Sequence, residues 1–350
     1  MSKEKIYIIS NESIYADSKN YFCDNLDMKS IPEGLSDFFD INIIARKSKF
    51  RRYHSINNTN IKVSNNFFIF LMLIFQTFKN KNNSKYLIIS ISPFTFLASL
   101  LLYFSKIRPL VYLRSDGYEE YKSIFGSVGK FIYHIMFSTI VKISNLISCR
   151  KHILKNNMGK IVSPSQLKDD WFKDLNQPNK DKVKLLYVGR LRVEKGIFSF
   201  LDISKDLQNT IQITIITNKK DHGKIKDRKN IYFLDTQTEK DLIKEYDKSN
   251  IFILPSFTEG HPQVLDEALS RLRPVIAFRE IEHVKRDRTG VFVCNRNIED
   301  LSKTIDYIMK NYEQIQLEMR KNKLPNKRTF LKQLKDLINL SSNQERWPSG

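Results

Sequence analysis

The sequence predicts an α/β protein of two doubly wound domains. Short apolar runs of strand length alternate along the chain with helical patterns, as in βαβ units. The 350 residues leave room for two domains with separate cores. A polar stretch, Asn176–Lys182, separates halves of different charge and is expected to be the linker. We therefore expect an N-terminal domain over 1–175, a C-terminal domain over 183–322, and a C-terminal helix with a tail over 323–350.

The N-terminal half begins with a predicted strand, Ile6–Ser10, followed by a glycine-poor loop and a second strand, Phe39–Ala45. Phe67–Phe78 is apolar all round but shorter than the roughly twenty residues of a membrane span. A buried core helix is therefore favoured there, with docking at a membrane interface as the alternative. Tyr86–Phe104 is long enough to span, yet Pro93 divides it into a strand and a helix.

The remaining elements continue the same alternation. Further predicted strands are Leu110–Leu113, Asn145–Cys149, Lys160–Val162, Leu185–Val188, Gln212–Thr217, Asn230–Leu234, a run beginning at Ile251, Val275–Phe278 and Gly290–Cys294. Predicted helices are Gly129–Leu146, one that includes Trp171, one opening at Gly196, Glu239–Lys248, one opening at His261 or Pro262, Ile298–Met319 and Thr329–Leu340.

The stretch Ile251–Ala277 reads as a strand, a loop and a helix, with Pro262 at a first helical turn. The free N–H groups and positive dipole end of that helix would face the loop, where a phosphate could be held. Two carboxylates flank this point, Glu259 in the loop and Glu267 in the helix. A sugar nucleotide would suit them, because its hydroxyls need acceptors while its diphosphate needs donors. Two solvated surface charges would also explain this pair taken alone.

A second stretch, Lys184–Ile203, supplies the donors. Gly189 permits a close backbone approach, and Arg190 and Lys195 follow the carboxyl end of a strand, where open α/β sheets bind ligands. A guanidinium fork and a mobile ammonium suit a diphosphate. Solvated loop charges are the alternative interpretation of these two residues.

The two stretches together resemble a known enzyme family. The matching residues are Gly189, Arg190, Glu194, Lys195, Gly196, Glu259 and Glu267. Their pattern is similar to that of the nucleotide-sugar domain of retaining GT-B glycosyltransferases, specifically family 4 (glycosyl transferases group 1). The resemblance covers Lys184–Ile305 and is loose before it. It implies two Rossmann-like domains facing a central cleft, and a final helix, within 323–350, that crosses back to the first domain.

The resemblance also implies roles for individual positions. Arg190 and Lys195 would hold the donor diphosphate, Glu267 would hold the ribose, and Glu259 would contact the donor sugar. Further donor contacts are expected from neighbouring positions: Gly189, Gly260, His261, Thr236 and Gln237. The family usually has Gly-Phe-Gly after its first glutamate, whereas this chain has Pro262, which removes an amide donor. The sugar pocket is therefore expected to differ.

A candidate in the first domain follows the strand Leu110–Leu113. In the family this strand end commonly carries a His followed by Gly, near the reacting sugar. Here Asp116 precedes Gly117 and takes that place, or Ser115 does if the register slips by one. We expect Asp116 to contact the sugar or the acceptor, while a plain Asp-Gly turn is an equally good interpretation.

Charge is distributed unevenly along the chain. The formal net charge is +20, and residues 41–168 hold twenty Lys and Arg against three acidic residues. Such a basic region attracts lipid head groups, a lipid-linked acceptor or nucleic acid. Compositional drift in a Lys- and Asn-rich chain is the alternative. Nucleic acid is disfavoured because no helix-turn-helix, zinc or RNP pattern is present.

Cysteine usage and the first residues suggest a compartment. Three widely spaced cysteines and the lack of a signal-peptide pattern at the first residues favour a reducing cytosol without a structural metal. There is no Asp-x-Asp motif, and GT-B enzymes offset leaving-group charge with cations and a helix terminus. We expect no metal and no cofactor apart from the nucleotide-sugar donor, and a peripheral location on the inner face of the cell membrane.

The expected function is that of a retaining, hexosyltransferase-type enzyme. It would move a sugar from a nucleotide-diphosphate donor to a lipid-linked surface glycan acceptor, as in bacterial polysaccharide or lipopolysaccharide biosynthesis. The alternatives are another GT-B enzyme, such as a nucleotide-sugar epimerase or a phosphorylase, and a non-catalytic lipid- or nucleic-acid-binding protein with a decayed transferase domain.

Overall fold

The computed structural model describes residues 3–18, 20–52, 54–57, 60–225, 228–235, 238–259 and 262–341. These fall into two compact units, one within Met1–Pro164 and Lys327–Gly350, the other Ser165–Asn326. The boundary therefore precedes the predicted linker. The reason is that Leu167 and Trp171 are buried in the hydrophobic core of the second unit. The final helix belongs to the first unit, as the sequence predicts.

Strands and helices alternate through most of the chain. The described strands are β1 (Glu4–Asp17), β2 (Asn20–Cys23), β3 (Phe39–Lys47), β4 (His54–Ile56), β5 (Ile61–Ser64), β6 (Ser84–Ile89), β7 (Leu110–Leu113), β8 (Asn145–Ser148), β9 (Lys160–Ile161), β10 (Val183–Val188), β11 (Ile211–Ile216), β12 (Ile231–Leu234), β13 (Ile251–Leu254), β14 (Val275–Phe278) and β15 (Val291–Cys294). The described α-helices are α1 (Leu26–Leu35), α2 (Phe67–Thr77), α3 (Pro93–Phe104), α4 (Gly117–Ile143), α5 (Ile197–Ile203), α6 (Glu239–Lys248), α7 (Gln263–Ser270), α8 (Ile298–Lys310), α9 (Tyr312–Met319) and α10 (Lys327–Leu340).

The sheet of the first unit is mainly parallel, in the order β5-β3-β1-β6-β7-β8-β9. Beyond a register shift between Ile9 and Ser13, β1 continues and pairs antiparallel with β2, which pairs with β4. The prediction of a glycine-poor loop after Ser10 is therefore wrong. Ile14 is buried in this extension and Tyr15 pairs with Phe22, so the segment contributes to the core as a strand.

The sheet of the second unit is entirely parallel, in the order β12-β11-β10-β13-β14-β15. Strand order reverses between β10 and β13. Loops leaving the carboxyl ends of these two strands diverge there and leave the crevice in which doubly wound sheets bind ligands. The predicted α/β, doubly wound architecture is thus confirmed in both units.

Helices cover the sheet of the first unit on two faces. Buried residues of α2, α3 and α4 form one core cluster with one face of the sheet, and those of α1 and α10 form another with the opposite face. Helix α3 begins at Pro93 as predicted, because Ser92 and Thr95 form a reciprocal capping box ahead of it.

Three helical predictions need correction. Helix α2 is not a buried core helix: only one stripe meets the sheet, while Phe68, Met72 and Phe75 are 81%, 51% and 64% exposed. The predicted helix Gly129–Leu146 is longer at its start and ends sooner, as α4, with non-helical geometry at Gly126. The helix expected to include Trp171 is a single 3₁₀ turn.

Candidate active site

Two loops meet at the reversal point of the second sheet. After β10 the chain passes Gly189 and Arg190, makes a 3₁₀ turn that ends at Lys195, and enters α5 through Gly196. After β13 the second loop carries Glu259. The predicted positions of the cation and the carboxylate relative to their strands are therefore confirmed.

Gly196 lets the two loops approach each other. Its φ of +65° is in the left-handed region, and a Cβ built there would lie 1.8 Å from the carbonyl oxygen of Pro255. The backbone N–H of Phe257 also donates to the carbonyl of Glu194 over 3.0 Å. A glycine at this position is thus required for the close packing that brings Lys195 towards Glu259.

Lys195 and Glu259 form the centre of the candidate site. Lys195 Nζ donates to Glu259 Oε1 over 2.7 Å, and Ser256 Oγ donates to the same oxygen over 2.7 Å. The side chains of Lys195 and Glu259 are only 27% and 11% exposed, which shields the pair from solvent. An ammonium has three N–H donors, so Lys195 keeps donors for an anionic ligand beside this carboxylate.

Arg190 lies on the same loop but is more exposed than Lys195. Its side chain is exposed and, among the described residues, it makes no hydrogen bond or ion pair; only its carbonyl accepts, from the Tyr187 hydroxyl over 2.8 Å. The structure therefore positions Lys195 through a specific contact and shows no such contact for the guanidinium of Arg190 among the described residues.

Glu267 lies apart from this pair, in α7. The Tyr246 hydroxyl donates to Glu267 Oε2 over 2.9 Å. Burial of the carboxyl group raises the pKa of Glu267 to about 7, and the charges of Asp266 and Glu239 add to this, while the Tyr246 hydrogen bond acts in the opposite direction. No contact between described residues joins Glu267 to Lys195 or Glu259.

Several predicted donor contacts cannot be placed. Gly260, His261, Thr236 and Gln237 lie outside the described residues. Helix α7 begins at Gln263, one residue later than the predicted limit, and Pro262 precedes it in an extended conformation. Gly189 follows β10, and a Cβ there would lie 2.8 Å from the Tyr187 hydroxyl oxygen.

Arg296 stabilises the loop that carries Glu259, and this residue was not identified from the sequence. Its guanidinium stacks 4.2 Å from the ring centroids of both Phe257 and Phe278. Arg296 Nη2 donates to the Pro255 carbonyl over 2.9 Å and Nε to Glu280 over 2.8 Å. No motif marks this arginine, because its partners are brought together only by the fold.

His283 is a second residue that sequence reasoning missed. Its Nε2 lies 2.7 Å from the backbone carbonyl oxygen of Glu259. A donating Nε2–H would fix that carbonyl and so the turn carrying the glutamate. The lone histidine sits after β14 without any pattern that points to this contact.

Two buried arginines, Arg271 and Arg273, stabilise the second unit through hydrogen bonds to distant parts of its chain. Arg271 forms a bidentate pair with Asp247 over 2.8 and 2.7 Å and donates to the carbonyls of Trp171, Lys173 and Asp174. Both Arg271 and Arg273 are 1% exposed. Arg273 donates to the carbonyls of Tyr246 and Asn176.

Asp116, the candidate in the first unit, caps a helix. Its Oδ1 accepts from the Tyr118 N–H over 3.0 Å at the start of α4, and its Oδ2 accepts from Lys155 Nζ over 2.6 Å. These contacts make it an N-cap with an ion pair, and Ser115 precedes it in a bend. A contact of Asp116 with sugar or acceptor stays a prediction.

Residues 168–330, slightly less than half of the chain, match the model of the family described as "Glycosyl transferases group 1". The match supports a group 1 glycosyltransferase. An "Uncharacterized glycosyltransferase" of Haemophilus influenzae is 38% identical over 72 residues, which are 19% of this chain and 20% of that protein. The chain thus aligns with only a fifth of this curated relative.

Solved structures similar to this chain cover nearly all of it. HepE of Anabaena, in complex with UDP, has a TM-score of 0.71 at 10% identity over 96% of this chain and 100% of that chain. Sucrose-phosphate synthase of Thermosynechococcus elongatus has a TM-score of 0.64 at 13% identity over 96% and 98%. A putative UDP-N-acetylglucosamine 2-epimerase of Listeria monocytogenes has a TM-score of 0.56 at 12% identity over 99% and 100%. At such identities the likeness concerns the fold, and it confirms the predicted GT-B class.

Metal ligands and cysteines complete the description. Among the described residues, no three His, Cys, Asp or Glu side chains converge in a way that could hold a metal ion, and the expected metal independence stays a prediction. Cys23, Cys149 and Cys294 are not joined in disulfides.

Proposed function

We propose that the chain transfers a hexosyl group from a nucleotide-diphosphate donor to an acceptor hydroxyl with retention of anomeric configuration. The observation that carries this proposal is the Lys195–Glu259 pair, placed at the reversal point of a sheet that matches the group 1 family. The complexes of HepE with UDP and glucose support a nucleotide sugar as the donor.

In the proposed reaction the bond between the anomeric carbon and the diphosphate oxygen breaks, and its electron pair leaves with the diphosphate. Lys195 and Arg190 would stabilise the negative charge that develops there. Glu259, kept beside the ammonium by Lys195 and Ser256, would orient the sugar hydroxyls. The acceptor hydroxyl bonds to the same face of the sugar and passes its proton to the departing phosphate oxygen.

Glu267 would bind the ribose hydroxyls of the donor. Two adjacent hydroxyls can donate to one carboxylate, and the Tyr246 hydroxyl already holds Oε2 from the protein side. Because the pKa of Glu267 is raised to about 7, donor affinity should increase as pH rises through that value and the carboxylate ionises.

We further propose that the acceptor is a lipid-linked surface glycan, reached from the cytoplasmic face of the membrane, and that neither a metal nor a further cofactor takes part. The basic region over 41–168 supports an anionic surface as partner. Donor turnover that continues in the presence of a chelator would support the metal-free reaction, and loss that Mg²⁺ or Mn²⁺ restores would contradict it.

The assignment is tested with the purified chain and a panel of nucleotide sugars, ranked by thermal stabilisation and then assayed for donor hydrolysis. Lys195→Ala and Arg190→Ala should each lower the rate of hydrolysis by about 10²–10³-fold, the loss typical of one charge-stabilising donor. Lys303→Ala and Arg320→Ala remove the same charges from exposed positions of the second unit and serve as matched controls. Unchanged turnover in the first pair would refute the assignment, and an epimerised donor formed without acceptor would indicate an epimerase.

A further inference from the structure

Helix α4 has two apolar stripes, and only one of them is covered. The inner stripe includes Tyr133, Phe137 and Ile140, which are buried against the sheet of the first unit. The outer stripe consists of Ile124, Phe125, Val128, Phe131, Ile132 and Ile135, each between 43% and 67% exposed. A helix that is apolar all round normally has both sides buried, in a protein core or in lipid. Its outer side therefore calls for a partner.

The outer stripe includes a sharp corner. Gly126 interrupts the helical geometry with φ +63° and ψ −149°, which is accessible almost only to glycine. A Cβ at Gly129 would lie 2.2 Å from the Tyr121 carbonyl oxygen, and the rings of Tyr121 and Tyr133 are 5.2 Å apart. The segment before the break is thus held against the helix after it. Phe125 and Val128, 62% and 67% exposed, lie on either side of the corner.

The apolar exposure extends to the neighbouring helices. Helix α2 contacts α3, α3 contacts α4, and all three bury their inner sides against the same face of the sheet. Helix α2 exposes Phe68 and Phe75, and α3 ends in Phe104, which is 78% exposed. Together with the outer stripe of α4, these side chains form what we call the apolar face of the three-helix layer.

The charges around the apolar face are mostly positive. Residues 67–143 contain nine Lys and Arg against three acidic residues, although Lys85 and Arg114 are paired with Glu4 and Asp27. Where exposure is described, the exposed charged residues of this range are five lysines and two glutamates: Lys79, Lys106, Lys122, Lys130, Lys142, Glu119 and Glu120. Lys122 and Lys130, both exposed, flank the corner in sequence, and one of the three acids, Asp116, is paired with Lys155. Apolar side chains flanked by lysines suit a bilayer interface with anionic head groups, since the lysine ammonium groups can reach the phosphates.

We propose that the apolar face of the three-helix layer docks on the surface of an anionic lipid bilayer, with the Gly126 corner inserted at head-group level. The inference extends the proposed transferase function by naming the surface that would bring the enzyme to a lipid-borne acceptor. Only this link to the acceptor rests on the proposed function. Two copies of this face would bring like charges together, which disfavours a dimer as the occupant.

A membrane span is the other reading of α4. Gly117–Ile143 is long and apolar enough to cross a bilayer by length and composition. Its inner stripe is part of the core, and the break at Gly126 divides it into shorter helices. Docking leaves these contacts in place, whereas spanning would require the first unit to give them up.

The test measures flotation of the purified full chain with vesicles of phosphatidylcholine alone and of phosphatidylcholine with phosphatidylglycerol in equal parts. The wild type should float with the anionic vesicles, and less so as salt is raised. The double variant Phe125→Ser, Phe131→Ser should lose at least about tenfold in partitioning, because it removes two aromatic side chains from the interface. Lys122→Glu with Lys130→Glu should lose at least about fivefold per lysine.

Matched controls separate docking from general effects. Leu317→Ser removes a 57% exposed apolar side chain from α9 of the second unit. Lys240→Glu with Lys303→Glu makes the same change in net charge at exposed positions of that unit. Neither control should change partitioning. Donor hydrolysis should be the same in every variant, so a failed transferase assignment would not be mistaken for failed docking.

Three outcomes would overturn the proposal. The first is a wild-type chain that floats equally with neutral and anionic vesicles, or that floats with neither kind. The second is a dimer in solution that Phe125→Ser, Phe131→Ser converts to a monomer, which would make a second copy the occupant. The third is a chain that resists extraction from vesicles at alkaline pH, which would indicate a span.

Discussion

The two units follow the same sheet plan but differ in where their distinctive residues lie. In both, strand order runs outward in two directions from the first strand, and in the second unit the loops at the reversal point are distinctive. They contain Gly189, Gly196 and a cation–carboxylate pair. In the first unit the distinctive residues lie on the outer side of the helices, while β1 simply continues as a strand past its reversal point. The same sheet plan can therefore present a ligand site at its strand ends, as proposed for the second unit, and a docking surface on its helices, as proposed for the first.

The largest expected difference between the two units concerns the loss of stability when an ion pair is removed. Asp247→Ala leaves the buried guanidinium of Arg271 without its carboxylate, and loss of one partner of a buried ion pair costs about 3–5 kcal/mol. Urea unfolding should show this loss in the second unit, with fluorescence of Trp171 as the local signal once the second tryptophan is removed by Trp347→Phe. Asp40→Ala, which removes a partly exposed partner of Lys5 in the first unit, should change stability by less than about 1 kcal/mol. Equal effects of the two variants would contradict the contrast.

The pH dependence of stability should come next. The folded state binds a proton on Glu267 up to about pH 7, whereas the unfolded chain releases it near the ordinary value of 4.5. The folded state therefore holds more protons in this window, and the contribution of Glu267 to stability falls as pH rises through it. Glu267→Gln should remove this fall. The difference in free energy of unfolding between the variant and wild type should therefore be up to about 3 kcal/mol more favourable to the variant at about pH 8 than at about pH 4. Parallel pH profiles of the two proteins would refute the raised pKa.

Two glycines with positive φ allow a direct comparison of the units. Gly196→Ala introduces a Cβ that would clash with the Pro255 carbonyl, so the loop must shift and donor affinity should fall by at least about tenfold, or about 1.4 kcal/mol. Gly126→Ala, in the first unit, meets nothing within 4 Å. It should cost about 1–3 kcal/mol of stability through backbone strain and leave donor affinity unchanged. Calorimetric titration of the best donor distinguishes the two variants.

The smallest expected effect concerns Asp116. Asp116→Ala removes an N-cap, which should lower stability by about 1 kcal/mol, and should leave donor hydrolysis unchanged. Asp116→Asn keeps the capping oxygen and serves as the control for charge. Transfer to an acceptor that falls in both variants, while hydrolysis stays intact, would favour the predicted contact with sugar or acceptor over the capping role alone.

Local patterns account for what the sequence could predict. Most of the parallel strands, Pro93 at the start of α3, and the approach of Lys195 and Glu259 follow from apolar runs, proline geometry and the position of loops after parallel strands. Strands β2, β4 and β5, which are only three or four residues long, were not predicted. Arg296, Arg271 and Arg273 could not be found this way, because their partners are far apart in sequence and meet only in the folded chain. The exposure of Phe68 was missed because an all-apolar helix does not reveal which side meets the sheet.

The buried arginines decide how the protein can be dissected. A fragment cut at the polar stretch that begins with Asn176 would lack the carbonyls of Trp171, Lys173 and Asp174, and Arg271 would keep only its carboxylate partner. A fragment starting at Ser165 keeps all of them. Any truncation or chimaera that places the domain boundary at the hydrophilic stretch would therefore remove the peptide on which the guanidinium group of Arg271 depends.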